Sequence, residues 1–561
     1  MRLPELWSFS THTIDTALLS MTTETAPPRR RLSIWARIWL SVAAGLFLLV
    51  SLVAYRIWRL TDPEEQVTIS PETTILTAPL TPDGRYVNFV AALNEEMSRG
   101  VTPENNAAVV YLEAYGAGVL DPDVNLDPDV QKMFFERLGV PIPPPATLQT
   151  VDSMPFFEAY FDDEDVDSTL LAGRYVEETM ETSQRPWSAD EFPAMAAWID
   201  ACADSLDVVV QGSQRPEYWM PLVPYTGVGS LDTCQLPART ILRSCHYPLA
   251  ARAMLKTERG ELASAWDDLF AVLKFARSED QSGLRMTQRR IRMFEAMVWD
   301  PMWRLSVHPD MTGEFAQICL SDLRQLPPLM SHVVVFDRFG RYAAVDELQR
   351  MPDGLSWLGW TILADEQYDS PRSRALLNAA IDWNESLRHA QRLLDEYVDA
   401  LSEPIASDRY SRLDALDAEY KALRLEEQQA TSILAESMLG GRRDLSRRAA
   451  ATIVSYSAGP SSDASGYDMH ATRADLLILA FALAAYRAER GGYPQALRDL
   501  VPSYIDDVQI DRFSAKPIIY HRTDDGGYIA YSIGLNLIDD GGVQGLRGRE
   551  GDLVITSDPD D

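Results

Sequence analysis

Ile38-Trp-Leu-Ser-Val-Ala-Ala-Gly-Leu-Phe-Leu-Leu-Val-Ser-Leu-Val-Ala-Tyr55 is a run of eighteen residues without a charge. At a helical rise of about 1.5 Å per residue it covers roughly 27 Å, close to the hydrocarbon thickness of a bilayer. Trp35, Trp39, Tyr55 and Trp58 sit near its ends, where amphipathic rings favour the headgroup region. Arg29, Arg30, Arg31 and Arg37 precede the run; Arg56 and Arg59 follow it, with Asp62, Glu64 and Glu65 just beyond. That asymmetry predicts a cytoplasmic tail over 1–37, a transmembrane helix over 38–55 and an exported remainder, anchored in the inner membrane. A cleavable signal would have a shorter apolar core and an A-x-A-like site, and Leu52-Val-Ala-Tyr-Arg56 offers none. Met21-Thr-Thr-Glu, ahead of Pro27-Pro28-Arg29, reads as the more natural start of the chain.

The 561 residues leave room for two to four domains, and 46% hydrophobic with 24% charged residues is a globular composition. A formal net charge of −32 argues against nucleic acid or anionic lipid as a main partner. Acidic runs such as Asp162-Asp163-Glu164-Asp165 read as solvated faces. Cys202, Cys234, Cys245 and Cys319 fit no metal or redox spacing. In an oxidising compartment Cys234 and Cys245 are close enough in sequence to bridge a short loop; the alternative is buried thiols.

Residues 56–84 lack periodicity and read as a juxtamembrane stalk, and 85–457 as a helical body. Asn105-Asn106 reads as a capped helix start, and Gln211–Pro237, with Pro216, Pro221, Pro224, Gly227 and Gly229, as a long loop. Pro248–Arg277 reads as two helices joined at Arg259-Gly260-Glu261, similar to one tetratricopeptide-type hairpin, with no regular period to extend it. Leu376, Ala380, Trp383, Leu387, Ala390, Leu394, Tyr397 and Leu401 alternate spacings of four and three. A second seam, Leu413, Leu416, Tyr420, Leu423, Glu427, Ala430 and Leu434, ends at Gly440-Gly441, so an antiparallel hairpin is expected over about 373–440. The glycine- and serine-rich 458–470 reads as a linker.

After it, Leu476–Ala485 is apolar on every side of a predicted helix, which must therefore be covered all round. Strand candidates Pro517–His521 and Tyr528–Ile533 flank the turn Asp524-Asp525-Gly526-Gly527, and Leu553–Thr556 is a last strand. The residues Tyr486-Arg487, Gly492-Tyr493-Pro494, Leu500-Val501, Asp511, Lys516-Pro517 and Tyr531-Ser-Ile-Gly534 resemble the globular part of the type II secretion major pseudopilin, over about 85 residues. Large anchored bacterial proteins of uncharacterised function carry related C-terminal modules. Arg512 and Ala515 stand where that pattern has proline and glycine. The resemblance implies a small α+β module over 471–561 and a calcium-stabilised loop, mapping onto Asn536, Asp539, Asp540 and Asp552. Carboxylates and carbonyls suit calcium, although Asp and Gly equally suit a solvated turn. Asp121, Asp123, Asn125 and Asp127 alternate in the same way but lack the glycine and glutamate of a calcium loop.

No phosphate-binding glycine loop, H-E-x-x-H helix or nucleophile elbow is present in the sequence. The N-terminus also lacks a prepilin leader. The predicted protein is mainly α: a transmembrane helix, an irregular repeat-like helical body with a long hairpin, and a small module with a short antiparallel sheet. The first functional expectation is an anchored extracytoplasmic scaffold or binding protein with protein partners in the envelope. Two others stand beside it: a subunit of a secretion-related assembly, and a hydrolase of envelope polymers with Tyr218, Trp219 and Tyr225 stacking on substrate.

Overall fold

The structure is a computed structural model and describes residues 33–60, 67–116, 128–144, 153–161, 168–224, 229–235, 239–281, 285–354, 371–425, 433, 436, 441–457, 462–544 and 550–558. The chain divides into two compact units, 1–60 and Thr61–Asp561. In the first, helix α1 (Ile34–Leu60) is longer at both ends than the uncharged run, because the flanks include the good helix formers Ala36, Arg37, Arg56, Arg59 and Leu60 and no Gly or Pro. Its apolar side chains, among them Leu46, Phe47 and Leu49, are exposed, and its length and hydropathy suffice to span a membrane.

The second unit is mainly helical, as expected. It opens with α2 (Phe89–Met97), α3 (Ala107–Tyr115), α4 (Pro128–Leu138), α5 (Ser153–Tyr160), α6 (Ser168–Thr182), α7 (Pro193–Ala201) and α8 (Ala203–Ser213). A two-residue antiparallel pair, β1 (Val223–Pro224) with β2 (Cys234–Gln235), precedes α9 (Arg239–Glu258), α10 (Leu262–Asp280), α11 (Arg285–Val307) and α12 (Gly313–Gln325). Then come α13 (Arg341–Arg350), α14 (Pro371–Ala380), α15 (Trp383–Leu401), α16 (Ala406–Leu423), α17 (Arg442–Ser457) and α18 (Ser462–Arg490). Strands β3 (Ile519–Arg522), β4 (Tyr528–Ser532) and β5 (Leu553–Thr556) form an antiparallel sheet in that order, with Tyr520 opposite Ala530 and Ala530 opposite Ile555.

Two large cores result. The first gathers α3 to α12, the apolar stretch of α18 and the sheet, with Trp266, Leu320, Phe481 and Ile555 in one cluster. Helices α9 and α10 meet as expected at Gly260, whose φ of +75° is a backbone state that glycine adopts freely. The second core gathers α13 to α17 around Leu387, Leu394, Tyr397 and Ile453.

Several expected boundaries shift. The hairpin predicted over 373–440 is interrupted at Ile381-Asp382, where Asp382 accepts from the Glu385 amide and caps α15, while its own amide donates to Ser446 Oγ. The principal neighbour of α15 is then α17, and most of the second seam beyond Leu425 lies outside the described residues. The expected stalk is packed instead of extended from residue 67 on. Thr73 and Thr74 are buried, the Thr68 amide donates to Asn384 Oδ1, and Gln391 donates to the carbonyls of Glu72 and Thr73. The linker expected over 458–470 is helical from Ser462, because buried partners along α18 outweigh the helix-breaking composition. The module at 471–561 shares the first core instead of standing apart.

Candidate functional site

The apolar stretch of α18 buries Leu476, Leu479, Phe481 and Leu483 against α11 and α12. Its preceding turns are different: Tyr467, Asp468, His470 and Thr472 are also buried, and they are polar. This polar stretch lies between Ala464, which belongs to the second core, and Leu476, which belongs to the first. Helix α18 therefore crosses from one core to the other through a buried ionisable seam.

On the side of the first core, Arg277 of α10 donates through Nε to Glu295 Oε1 of α11 at 2.5 Å, and Glu295 Oε2 is hydrogen-bonded to His470 Nε2. Glu295 has no exposed surface. Burial alone would raise its carboxyl, but the combined pull of His470 and Arg277 outweighs that and holds it below the usual carboxylate range. Burial holds His470 below its ordinary value, with Arg277 and Arg292 acting in the same direction. Arg277 also donates to the Pro327 carbonyl, and Asp280 accepts from the Met330 amide at 3.1 Å, so the end of α10 holds the chain beyond α12.

On the side of the second core, Asp468 accepts from Arg409 at 2.5 Å and from the Tyr410 hydroxyl at 2.7 Å, tying α18 to α16. The His332 ring lies edge-on to Tyr467 and its Nε2 is 3.0 Å from the Leu401 carbonyl. Further along α18, Asp475 accepts from Arg512, and Arg473 covers the Trp299 ring. A separate network joins α9 to α10: Asp268 accepts from Arg252 at 2.7 and 2.9 Å and from Lys256 at 2.7 Å.

Burial pushes Glu279 up to about 8 and Asp280 up to about 6. Glu279 accepts from the Tyr218 hydroxyl, so that ring of the expected substrate-stacking trio faces inward. Trp219 is buried as well, its amide donating to Asn106 Oδ1 and its carbonyl accepting from Asn106 Nδ2. Tyr225 lies outside the described residues. The same Asn106 caps α3 by accepting from Ala108, which is the capped start expected from the sequence. All four cysteines are buried thiols, Cys234 and Cys245 included, and burial pushes Cys245 up to about 12. A thiol so protonated is a poor nucleophile.

The C-terminal loop brings Asn536, Asp539, Asp540 and Asp552 near one another, but turns their oxygens inward to the backbone. Asp552, fully buried, accepts from the amides of Asp540 and Gly542 at 3.3 and 2.6 Å. Asp539 accepts from Gly541 and the Tyr531 hydroxyl, Asn536 Oδ1 from Ile538, and Asp540 from Asn536 Nδ2. Calcium needs six to eight converging oxygens. Among the described residues no three carboxylate, histidine or cysteine side chains are gathered as a metal site, and residues 545–549 of the same loop lie outside the described residues. The loop holds itself closed by self-capping. The earlier candidate, Asp121 to Asp127, lies outside the described residues.

The seam escaped sequence reasoning because Tyr467-Asp-Met-His470 falls in the stretch whose glycine and serine content suggested a linker. The signal available was an aromatic, an acid and a histidine within four residues, directly ahead of a wholly apolar helix. No family model, no curated protein and no solved structure matches the chain.

Proposed function

We propose that the chain is a single-pass, membrane-anchored extracytoplasmic scaffold or binding protein. The observation that carries this reading is α1, an apolar helix with exposed side chains whose uncharged run Ile38–Tyr55 has more arginines just before it than just after it. The interior of the large unit supports it. Buried ion pairs there, Arg277–Glu295, Arg409–Asp468 and Arg252–Asp268, join one helix to another and hold the helices in fixed relation. A subunit of a secretion-related envelope assembly is the second reading, supported by the order of a long helix, Gly492-Tyr493-Pro494 and three antiparallel strands.

A reporter active only outside the cytosol, fused after Asp561, tests the anchored reading. Activity is expected, and signal solely from a cytosolic reporter overturns it. Cross-linking in intact cells, followed by purification, is expected to retain at least one envelope protein.

A further inference from the structure

We infer that His332 is an acid-released latch between the two cores: the neutral imidazole clasps two chain crossings together, and its protonation frees the start of α18 from α15 and α16. The latch lies wholly within the large unit, so it stands whether or not the chain is anchored. Two crossings between the cores meet here. Residues 326–336 run from Leu326 of the first core to Phe336 of the second, and α18 runs back from Ala464 to Leu476. On the first-core side, the end of α10 grips the earlier crossing: Gln281 donates to the Pro328 carbonyl at 2.9 Å, and Asp280 accepts from the Met330 amide. On the second-core side His332 makes the tie. Its Nε2 lies 3.0 Å from the Leu401 carbonyl at the end of α15. Its ring lies against Tyr467 of α18, whose hydroxyl donates back to the Leu329 carbonyl at 3.5 Å.

The contacts suit only one protonation state. A carbonyl only accepts, so Nε2 carries the hydrogen, and Nδ1 of the neutral ring keeps its lone pair. Nδ1 is buried without a hydrogen-bond partner, so a second proton there would be a donor with nothing to donate to. Among the described residues the one carboxylate acting on the ring is Asp468 of α18, and its Oδ2 already accepts from Arg409 and Tyr410 of α16. Arg409 itself and Arg512, ahead of β3, oppose a positive ring. Asp337 and Arg338, on the segment His332 opens, are paired with Arg341 and Glu96. Burial, joined by the two arginines, accordingly holds the ring below its ordinary value against Asp468 and the Leu401 bond. The turn after the latch, Val335–Gly340, is π-helical, a rare form that recurs at functional sites. With a lower value closed than open, the ring takes up a proton on opening. The open population is therefore expected to rise as pH falls below about 6.5, by up to about tenfold per unit, until the closed value is reached.

The test uses the full chain in detergent micelles and amide hydrogen exchange, corrected for the intrinsic effect of pH on exchange. Between about pH 7.5 and about pH 5, protection over 329–335, 399–411 and 462–472 is expected to fall about tenfold, while 249–272 stays level. Glutamine keeps a donor for the Leu401 carbonyl and takes up no proton, so H332Q is expected to cut that fall to less than about threefold. H332F keeps a ring against Tyr467 but loses the donor, and is expected to open the same segments equally at both pH values. Exchange of the imidazole C2 hydrogen, followed by mass spectrometry, reads the ring of the parent chain directly and decides the matter where a variant does not fold. Half-protonation below about pH 6.5 is expected. Half-protonation at or above that value, protection that stays level or rises in acid, or an undiminished fall in H332Q overturns the inference.

Discussion

The His470 imidazole and the Glu295 carboxylate are hydrogen-bonded in the interior, 175 residues apart in sequence, at the junction between the two cores. Glu295 is also the partner of Arg277, so removing it strands a buried guanidinium. Glu295→Ala is expected to cost about 3–5 kcal/mol, the usual penalty for breaking a buried charge pair from one side. Chemical denaturation of the large unit measures it. The apolar triple R277M/E295L/H470F is expected to lose far less.

The pH dependence has two opposite slopes. His470 is held below its unfolded value, so its contribution is complete above about pH 6.5 and is lost as pH falls through its folded value. Glu279 is raised to about 8, so it costs stability as pH climbs from its unfolded value toward 8. Glu279→Gln keeps an acceptor for Tyr218 and cannot ionise. It is expected to raise the Tm at pH 9 by a stability gain on the order of 3 kcal/mol, with little change at pH 4. Asp280, raised to about 6, slopes the same way between its unfolded value and pH 6.

The C-terminal region is structural. Trp303 Nε1 donates to the Thr556 carbonyl at 2.9 Å, and α18 fills the groove of α11 and α12. A chain ended after Ser457 is therefore expected to aggregate or expose apolar surface to a hydrophobic dye. A separable module would leave a folded, soluble remainder.

Ala515 holds φ at +55°, the left-handed state that costs a side-chain-bearing residue about 1 kcal/mol. Ala515→Gly is expected to stabilise the protein by about 0.5–1 kcal/mol, read as a higher denaturation midpoint.

Asp552 supports two backbone amides from a buried carboxylate. Asp552→Ala is expected to cost about 1–3 kcal/mol equally in calcium and in chelator. A calcium-dependent Tm shift in the parent protein, lost in the variant, would support a metal-holding loop instead.

Local chemistry settled a good deal without any tertiary information. The apolar run Ile38–Tyr55, the cap at Asn106, the turn at Gly260 and the hairpin at Asp525-Gly526 all depend on neighbours in sequence, and all are legible from it. Packing decided the rest. Whether Ser462–His470 is linker or helix depends on Arg409, Glu295 and His332 arriving from elsewhere, and whether an aspartate binds metal or amide depends on where its oxygens point. Burial of a charge is worthwhile only when its partner is in place, and that partner lies tens to hundreds of residues away.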